Sequence, residues 1–282
     1  MTALALPFGI ARVRSALPGF GPAMGITMLW LSIVVLLPLI ALAVRPWEIG
    51  IVGVWEMVTS PRALAALRLS FGAALLAATI DVPLGLLITW VLVRYRFPGR
   101  GAADAMIDLP FALPTAVAGI SLTALYAENG WIGGLLAPLG IRLAYNPGGI
   151  VVALAFVGLP FIVRTLEPVL RDLPRDAEEA AATLGAGRWA TFRRVVLPAL
   201  APALIAGFGL AFARTVGEYG SVIFIAGNMP MISEIAPLLI VVRLEEFDYA
   251  GAAAIGLAML LIAFAILLVL NLFARRLRHG TA

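Results

Sequence analysis

The stretch "DAEEAAATLGAGRWATFRRVVLP" (residues 176–198) is charged, punctuated by glycine and soluble in character, yet it lies between two runs suited to lipid. Asp176 is a good N-cap residue with Glu179 three positions on, as in a capping box. Glu178 and Glu179 also place negative charge on the first turn, where the helix dipole favours it. A short helix is expected to start there and to stop at Gly185, whose freedom at positive φ suits the residue just past a helix end; Gly187 loosens the chain further. A second short amphipathic stretch follows, with Trp189, Phe192 and Val195 or Val196 on one helical face and Arg188, Thr191 and Arg194 on others. Pro198 then leads into an apolar span. The implied shape is two short helices joined by a glycine elbow, presenting an alanine-rich face and an aromatic. Two readings stand: a surface that a partner approaches closely, or an interfacial helix lying among lipid headgroups with arginine and tryptophan as anchors.

Outward from this stretch the chain is greasy. Of its 282 residues 62% are hydrophobic and 13% charged, too apolar for a soluble domain with a polar surface. Crossing a hydrocarbon core of about 30 Å takes roughly 17 to 25 apolar residues of helix. Six runs meet that test, at about 24–44, 64–93, 105–127, 149–166, 196–220 and 249–273. They predict an all-α integral membrane protein with a cytoplasmic segment over 1–23, a loop over 174–195 and a tail over 274–282. The "ALA" at Ala41 to Ala43 resembles a signal-peptidase site, but the apolar core from Met24 to Val44 is long for a signal peptide.

Orientation follows from arginine, since positively charged loops stay on the cytoplasmic side. Arg12 and Arg14 precede the first span, and Arg94, Arg96 and Arg100 follow the second. Arg171, Arg175, Arg188, Arg193 and Arg194 lie between the fourth and fifth, while Arg275, Arg276 and Arg278 end the chain. The alternate loops hold only Arg45, Arg62, Arg142 and Arg243. Both termini and the 176–198 stretch are therefore expected on the cytoplasmic side. The formal net charge of +4 is a topology signal and calls for no nucleic acid.

Several chemistries are struck out. The chain has no cysteine and one histidine, His279, so cysteine nucleophiles, disulfides, histidine-based triads and the usual zinc sites are not expected. All 20 basic residues are arginine, whereas a phosphate-binding loop of the G-x-x-x-x-G-K-[ST] type needs lysine. No catalytic residue, metal site or cofactor is expected in this chain, and no internal repeat stands out by eye.

The run Glu179-Ala180-Ala181, three residues, Gly185, nine residues, Val195, one residue, Leu197-Pro198 resembles the EAA loop of permease subunits in bacterial ATP-binding cassette importers. Val195 stands where isoleucine is commoner. The resemblance implies a type I importer permease fold, in which these residues and Trp189 form a coupling helix that docks into a groove on a separate ATPase subunit. "DLPFALPTAVAGISLTALYAENGWIG" (108–133), "RTVGEYGSVIFIAGNMP" (214–230) and "EIAPLLIVVRLEEFDYAGA" (234–252) are similar to the T-type permease family of sulfate and thiosulfate importers. The W-type sulfate permease and the molybdate permease share the G-E-[YF]-G element but are less similar after Pro230. The resemblance implies a complex with a W-type permease as heterodimer, two cytosolic ATPase subunits carrying ATP and Mg, and a periplasmic sulfate-binding protein. The alternatives are a permease for molybdate or another oxyanion, and a membrane scaffold or channel that recruits a cytosolic protein.

Intramembrane charges are the first candidates for an anion path, because burying one costs about 2.5–3.5 kcal/mol even on permissive scales. Arg214 and Glu218 are four apart and pair on one helical face, on the outer side of the midplane. Gly217 and Gly220 favour a kink or break there. The competing reading is an ion pair that only braces the fifth span. Asp81, beside Pro83, must find a donor and is read as structural, since a carboxylate facing a dianion repels it. Pro110 and Pro114 remove two backbone donors and should bend the third span or begin it irregularly. Thr115 and Ser121 follow, as hydroxyls for a passing oxyanion or as helix-packing bonds.

Overall fold

A computed structural model describes residues 20–279, with side chains described through residue 272. The readings on residues 1–19, with Arg12 and Arg14, and on the side chains of Arg275, Arg276, Arg278 and His279 lie outside the described residues. The described residues form helices and connections, with no strand among them. Two units divide at Val44 and Arg45.

The first unit contains α1 (Phe20–Leu31), a π-helical turn over Ser32–Leu36 and α2 (Leu37–Val44). It buries none of its residues. The wide turn has a local cause: Pro38 lacks an N–H and its ring crowds the carbonyl four residues back, at Val34, and a π turn relieves that clash.

The second unit opens with a 3₁₀ turn (Arg45–Ile49) and α3 (Gly50–Thr59). α4 (Pro61–Arg94) is capped by Ser60, whose side chain accepts from the Ala63 N–H, and starts with proline at its first position. Next come α5 (Arg100–Ile107), α6 (Leu109–Ala112), α7 (Thr115–Tyr126) and α8 (Gly133–Leu136). α9 (Pro147–Asp172), α10 (Asp176–Thr183) and α11 (Arg188–Thr191) lead through a second π turn (Phe192–Val196) into α12 (Leu197–Val216). α13 (Ala236–Glu245) and α14 (Tyr249–His279) complete the chain. The second π turn has the same cause as the first, since Pro198 stands four residues after Arg194 in its middle.

Among the described residues, five helical runs are long and apolar enough to cross a membrane: one within Phe20–Thr59, then Pro61–Arg94, Pro147–Asp172, Arg188–Val216 and Tyr249–Leu272. The stretch expected as a single span over 105–127 is instead built in pieces, of which Thr115–Tyr126 is the apolar helix. Leu113 and Pro114 take extended backbone (ψ 135° and 133°), because Pro114 disfavours α geometry in the residue before it and offers no N–H of its own. The helix expected to run from about 196 towards 220 starts earlier, at Arg188, and stops at Val216, where Gly217 follows.

The core is the mutual packing of α4, α9 and α12. Small residues let these backbones approach, as they must where lipid gives no hydrophobic reward for association. Ile162 of α9 is fully buried between two glycines. A Cβ on Gly85 of α4 would lie 2.6 Å from its Cγ2, and one on Gly207 of α12 would lie 3.2 Å from its Cα.

Candidate functional site

The elbow over 176–198 is built much as its residues require, with one correction. Asp176 is not the N-cap. That position belongs to Arg175, already in right-handed helical geometry (φ −71°, ψ −20°) and making no side-chain cap bond. The early start moves Asp176 into the first turn, where with Glu178 and Glu179 it meets the helix dipole by charge alone.

The far end follows the glycine reading. Gly185 takes φ +83°, its N–H donates to Ala182 O (3.0 Å), and the Ala186 N–H donates to Ala181 O (3.0 Å), the paired bonds of a Schellman ending. Gly187 then takes extended geometry and starts α11. Glu179 and Ala180 are exposed and Ala181 half-buried. Leu184, 88% exposed, borders a hollow of about 490 Å³ lined by Ala181, Gly185, Ala190 and Val195 among others, while Trp189, 71% exposed, borders a separate hollow with Trp90 and Phe192. Leu197 and Pro198 lie inside the continuous helical run, half-buried and exposed respectively.

This elbow is fastened to the end of α4. Arg94 bonds Glu178 at 2.5 Å and lies 5.4 Å over the Trp90 ring. Trp90 meets Phe192 edge-on (5.8 Å), and Phe192 stacks on Trp189 (5.5 Å). A push on either short helix of the elbow therefore reaches a span that crosses the whole core.

At the other end of α12 the structure brings together three of the four predicted pathway residues. Arg214 Nη1 donates to Glu218 Oε2 at 2.5 Å. Glu218 Oε1 accepts from both the N–H and the hydroxyl of Ser221, each at 3.1 Å. Glu218 is buried, while Arg214 keeps 39% of its side chain exposed. α7 presses on this turn: a Cβ on Gly220 would lie 2.2 Å from Thr115 Oγ1, and one on Gly119 would lie 2.6 Å from Ser221 O. Ser121 is exposed on α7 and makes none of these contacts.

Gly119→Ala is accordingly expected to destabilise the protein by about 1–3 kcal/mol, because a backbone carbonyl has to move to admit one methyl. Gly72→Ala, with open space around its added methyl, serves as the neutral control. Thermal unfolding of both purified proteins checks this, and equal midpoints would overturn the close fit of α7 on residues 218–221.

Other buried polar groups were less legible. Glu234, just before α13, takes a two-point bond from Arg62 (2.8 and 2.7 Å), and Ser70 accepts from the Ala236 N–H (2.8 Å). Asp81 was expected to find a donor, and this is corrected: it is 1% exposed and neither carboxylate oxygen has a partner among the described residues. It lies against Gly158, where a Cβ would sit 2.6 Å from Oδ2 and 3.3 Å from Thr215 Cγ2. The nearby hydroxyl is already committed, since Thr215 Oγ1 donates to Ala211 O (2.8 Å) within its own helix. Arg164, on α9, is a functional candidate that sequence reasoning passed over, although an arginine inside an apolar run was signal enough.

The spans pack as a bundle, with the exposed elbow at one end of α12 and the charged, glycine-lined turn at the other. The chain belongs to the family of binding-protein-dependent transport system inner membrane components, whose family model matches residues 81–279. It is 47% identical to the sulfate transport system permease protein CysT of Escherichia coli (strain K12), over 95% of this chain and 96% of that protein. It is also 47% identical to the CysT of Synechocystis sp. (strain ATCC 27184 / PCC 6803 / Kazusa), over 88% of this chain and 86% of the other. Among solved structures, a bacterial ABC transporter involved in the import of the acidic polysaccharide alginate matches with TM-score 0.74 at 18% identity, covering 91% of this chain and 94% of that one. The methionine ABC transporter MetNI in inward-facing form matches with TM-score 0.51 at 17% identity, covering 81% and 97%. These two share the fold.

Proposed function

We propose that this chain is a membrane-spanning permease subunit of an ATP-driven sulfate importer, and that it carries sulfate or thiosulfate inward. The observation that carries the reading is the likeness to sulfate permeases named CysT over nearly the full length of both chains. The exposed Schellman elbow supports the same reading, because a protruding surface of small residues with Leu184 and Trp189 at its edges suits a soluble partner. On this reading the elbow docks on a cytosolic ATPase that holds ATP and Mg, a second permease subunit of W-type completes the pathway, and a periplasmic binding protein delivers the anion. Nothing in the chain offers a lysine for a phosphate loop, so hydrolysis belongs to the partner.

The test is to purify the complex with the products of neighbouring genes and measure ATP hydrolysis in lipid. Sulfate with its binding protein is expected to stimulate hydrolysis and to drive radiolabelled sulfate inward, with molybdate a weaker competitor. Stimulation by molybdate alone would move the reading to another oxyanion. Uptake without ATP would replace it with a channel.

The arginine distribution gives both ends inside, with the elbow on the same side as the ATPase. Reporter fusions at Gly99 and Gly187 are expected to read cytoplasm, and fusions at Gly50, Gly140 and Asn228 the outer side. An outer-side signal at Gly187 would remove the elbow from any cytosolic ATPase.

A further inference from the structure

Arg164 lies on α9 and uses every donor it has. Its Nε and Nη2 grip Asp108 at 2.9 and 2.7 Å. Nη1 reaches Asp104 Oδ1 at 2.8 Å and Glu167 Oε2 at 2.7 Å, and Nη2 also bonds Asp104 O at 3.1 Å. A guanidinium has five N–H groups. All five are spent, and three of the bonds go to charged oxygens from α5 and the α5–α6 junction.

What Arg164 holds is the inner half of a broken span. α5 and α6 lie before the extended pair Leu113–Pro114, and α7 lies after it. Both halves touch α9, and α7 is fitted to a second segment as well. α7 is fitted against residues 218–221 by Gly119 and Gly220. α5 and α6 rest on α9, through Arg164 and an edge-on contact of Phe111 with Phe161 (ring centroids 5.1 Å apart). Motion of the 214–221 turn that carries α7 with it away from α9 would bend the chain at Leu113–Pro114 or load the grip of Arg164.

We propose that Arg164 is an inner latch of the permease, a positioning residue whose bonds to Asp104 and Asp108 hold α5 and α6 against α9 in this conformation and release in each transport cycle. The inference rests on the importer reading. A brace and a latch make opposite demands on the same contacts. A brace is improved by making it permanent, and its removal shows as lost assembly or stability with hydrolysis still dependent on the binding protein. A latch fails when welded and misfires when removed.

The chain contains no cysteine, so introduced pairs are unique within it. In the full complex, with partner subunits freed of reactive cysteine, Phe111→Cys with Phe161→Cys is bridged by a short bifunctional thiol reagent. Bridging is expected to cut sulfate uptake at least about tenfold, and cleaving the bridge to restore it. Arg164→Met in the assembled complex is expected to raise ATP hydrolysis severalfold in the absence of binding protein while lowering uptake, and Arg164→Lys, which keeps charge but loses the planar fork, to fall between. Unbridged complex that fails to carry sulfate counts against the importer reading, whereas hydrolysis without binding protein reads the latch whatever the anion. Uptake at the unmodified rate through bridged protein would overturn the latch. So would Arg164→Met protein whose uptake and hydrolysis match the unsubstituted complex. Should Arg164→Met not assemble, the bridged pair decides.

Discussion

Gly185→Val is expected to insert in the membrane normally and yet lose most uptake, because the substitution strikes the one residue of the elbow held at positive φ. Gly185 sits at +83° with its N–H committed to Ala182. A β-branched side chain in the left-handed region costs about 1–3 kcal/mol. If that strain is relieved by unwinding the Schellman ending, Leu184 and Trp189 no longer stand at their present spacing. Association with the ATPase should then weaken roughly 5- to 150-fold, by the rule that 1.4 kcal/mol is tenfold. No heavy atom lies within 4 Å of a Cβ at this glycine, so within the chain the damage is conformational and not steric. Gly185→Asn, which tolerates the left-handed region better, should retain part of the activity. Copurification of the ATPase and sulfate uptake are the measurements. A valine strain that takes up sulfate at the unmodified rate would leave the elbow as a surface feature only.

The second large effect concerns Arg214 and Glu218. Arg214→Met alone would strand a buried carboxylate, at about 3–5 kcal/mol, and would report stability and not transport. The Ser221 bonds to Glu218 Oε1 suggest a cleaner pair. Arg214→Met with Glu218→Gln removes both charges and keeps an acceptor for Ser221. If these residues serve the anion, the complex should assemble and hydrolyse ATP while uptake falls at least about tenfold. Arg214→Lys should be partly active, having lost the fork of donors. Arg214 is 39% exposed and engages Glu218 through a single nitrogen, so the double variant tests a residue with donors to spare. Unchanged uptake in the double variant would return the pair to bracing.

The local parts of this architecture were legible because their causes are local. A proline pair predicts a break at Leu113–Pro114, a glycine after a run of alanines predicts a left-handed ending, and i,i+4 spacing predicts the Arg214–Glu218 bond. What escaped was set by approach of distant segments. Arg164 and Asp108 are 56 residues apart, and Arg62 and Glu234 are 172 apart, so no periodicity links them. Asp176 was misplaced by one position because the backbone of Arg175, and not the side-chain preference of aspartate, sets where the helix begins. Asp81 was assigned a donor on the sound rule that buried polar groups are paired. The hydroxyl nearest to it had already turned inward to its own helix.

The far-reaching bonds of α4 also set a schedule for making the protein. Arg94 waits for Glu178, 84 residues later; Ser70 waits for Ala236, 166 residues later; Arg62 waits for Glu234, 172 residues later. α4 is thus among the earliest spans synthesised and among the last to be satisfied, and closing such long loops is the slow part of folding. Until residue 236 has left the ribosome, the span stands in the bilayer with Arg62 and Ser70 unclaimed.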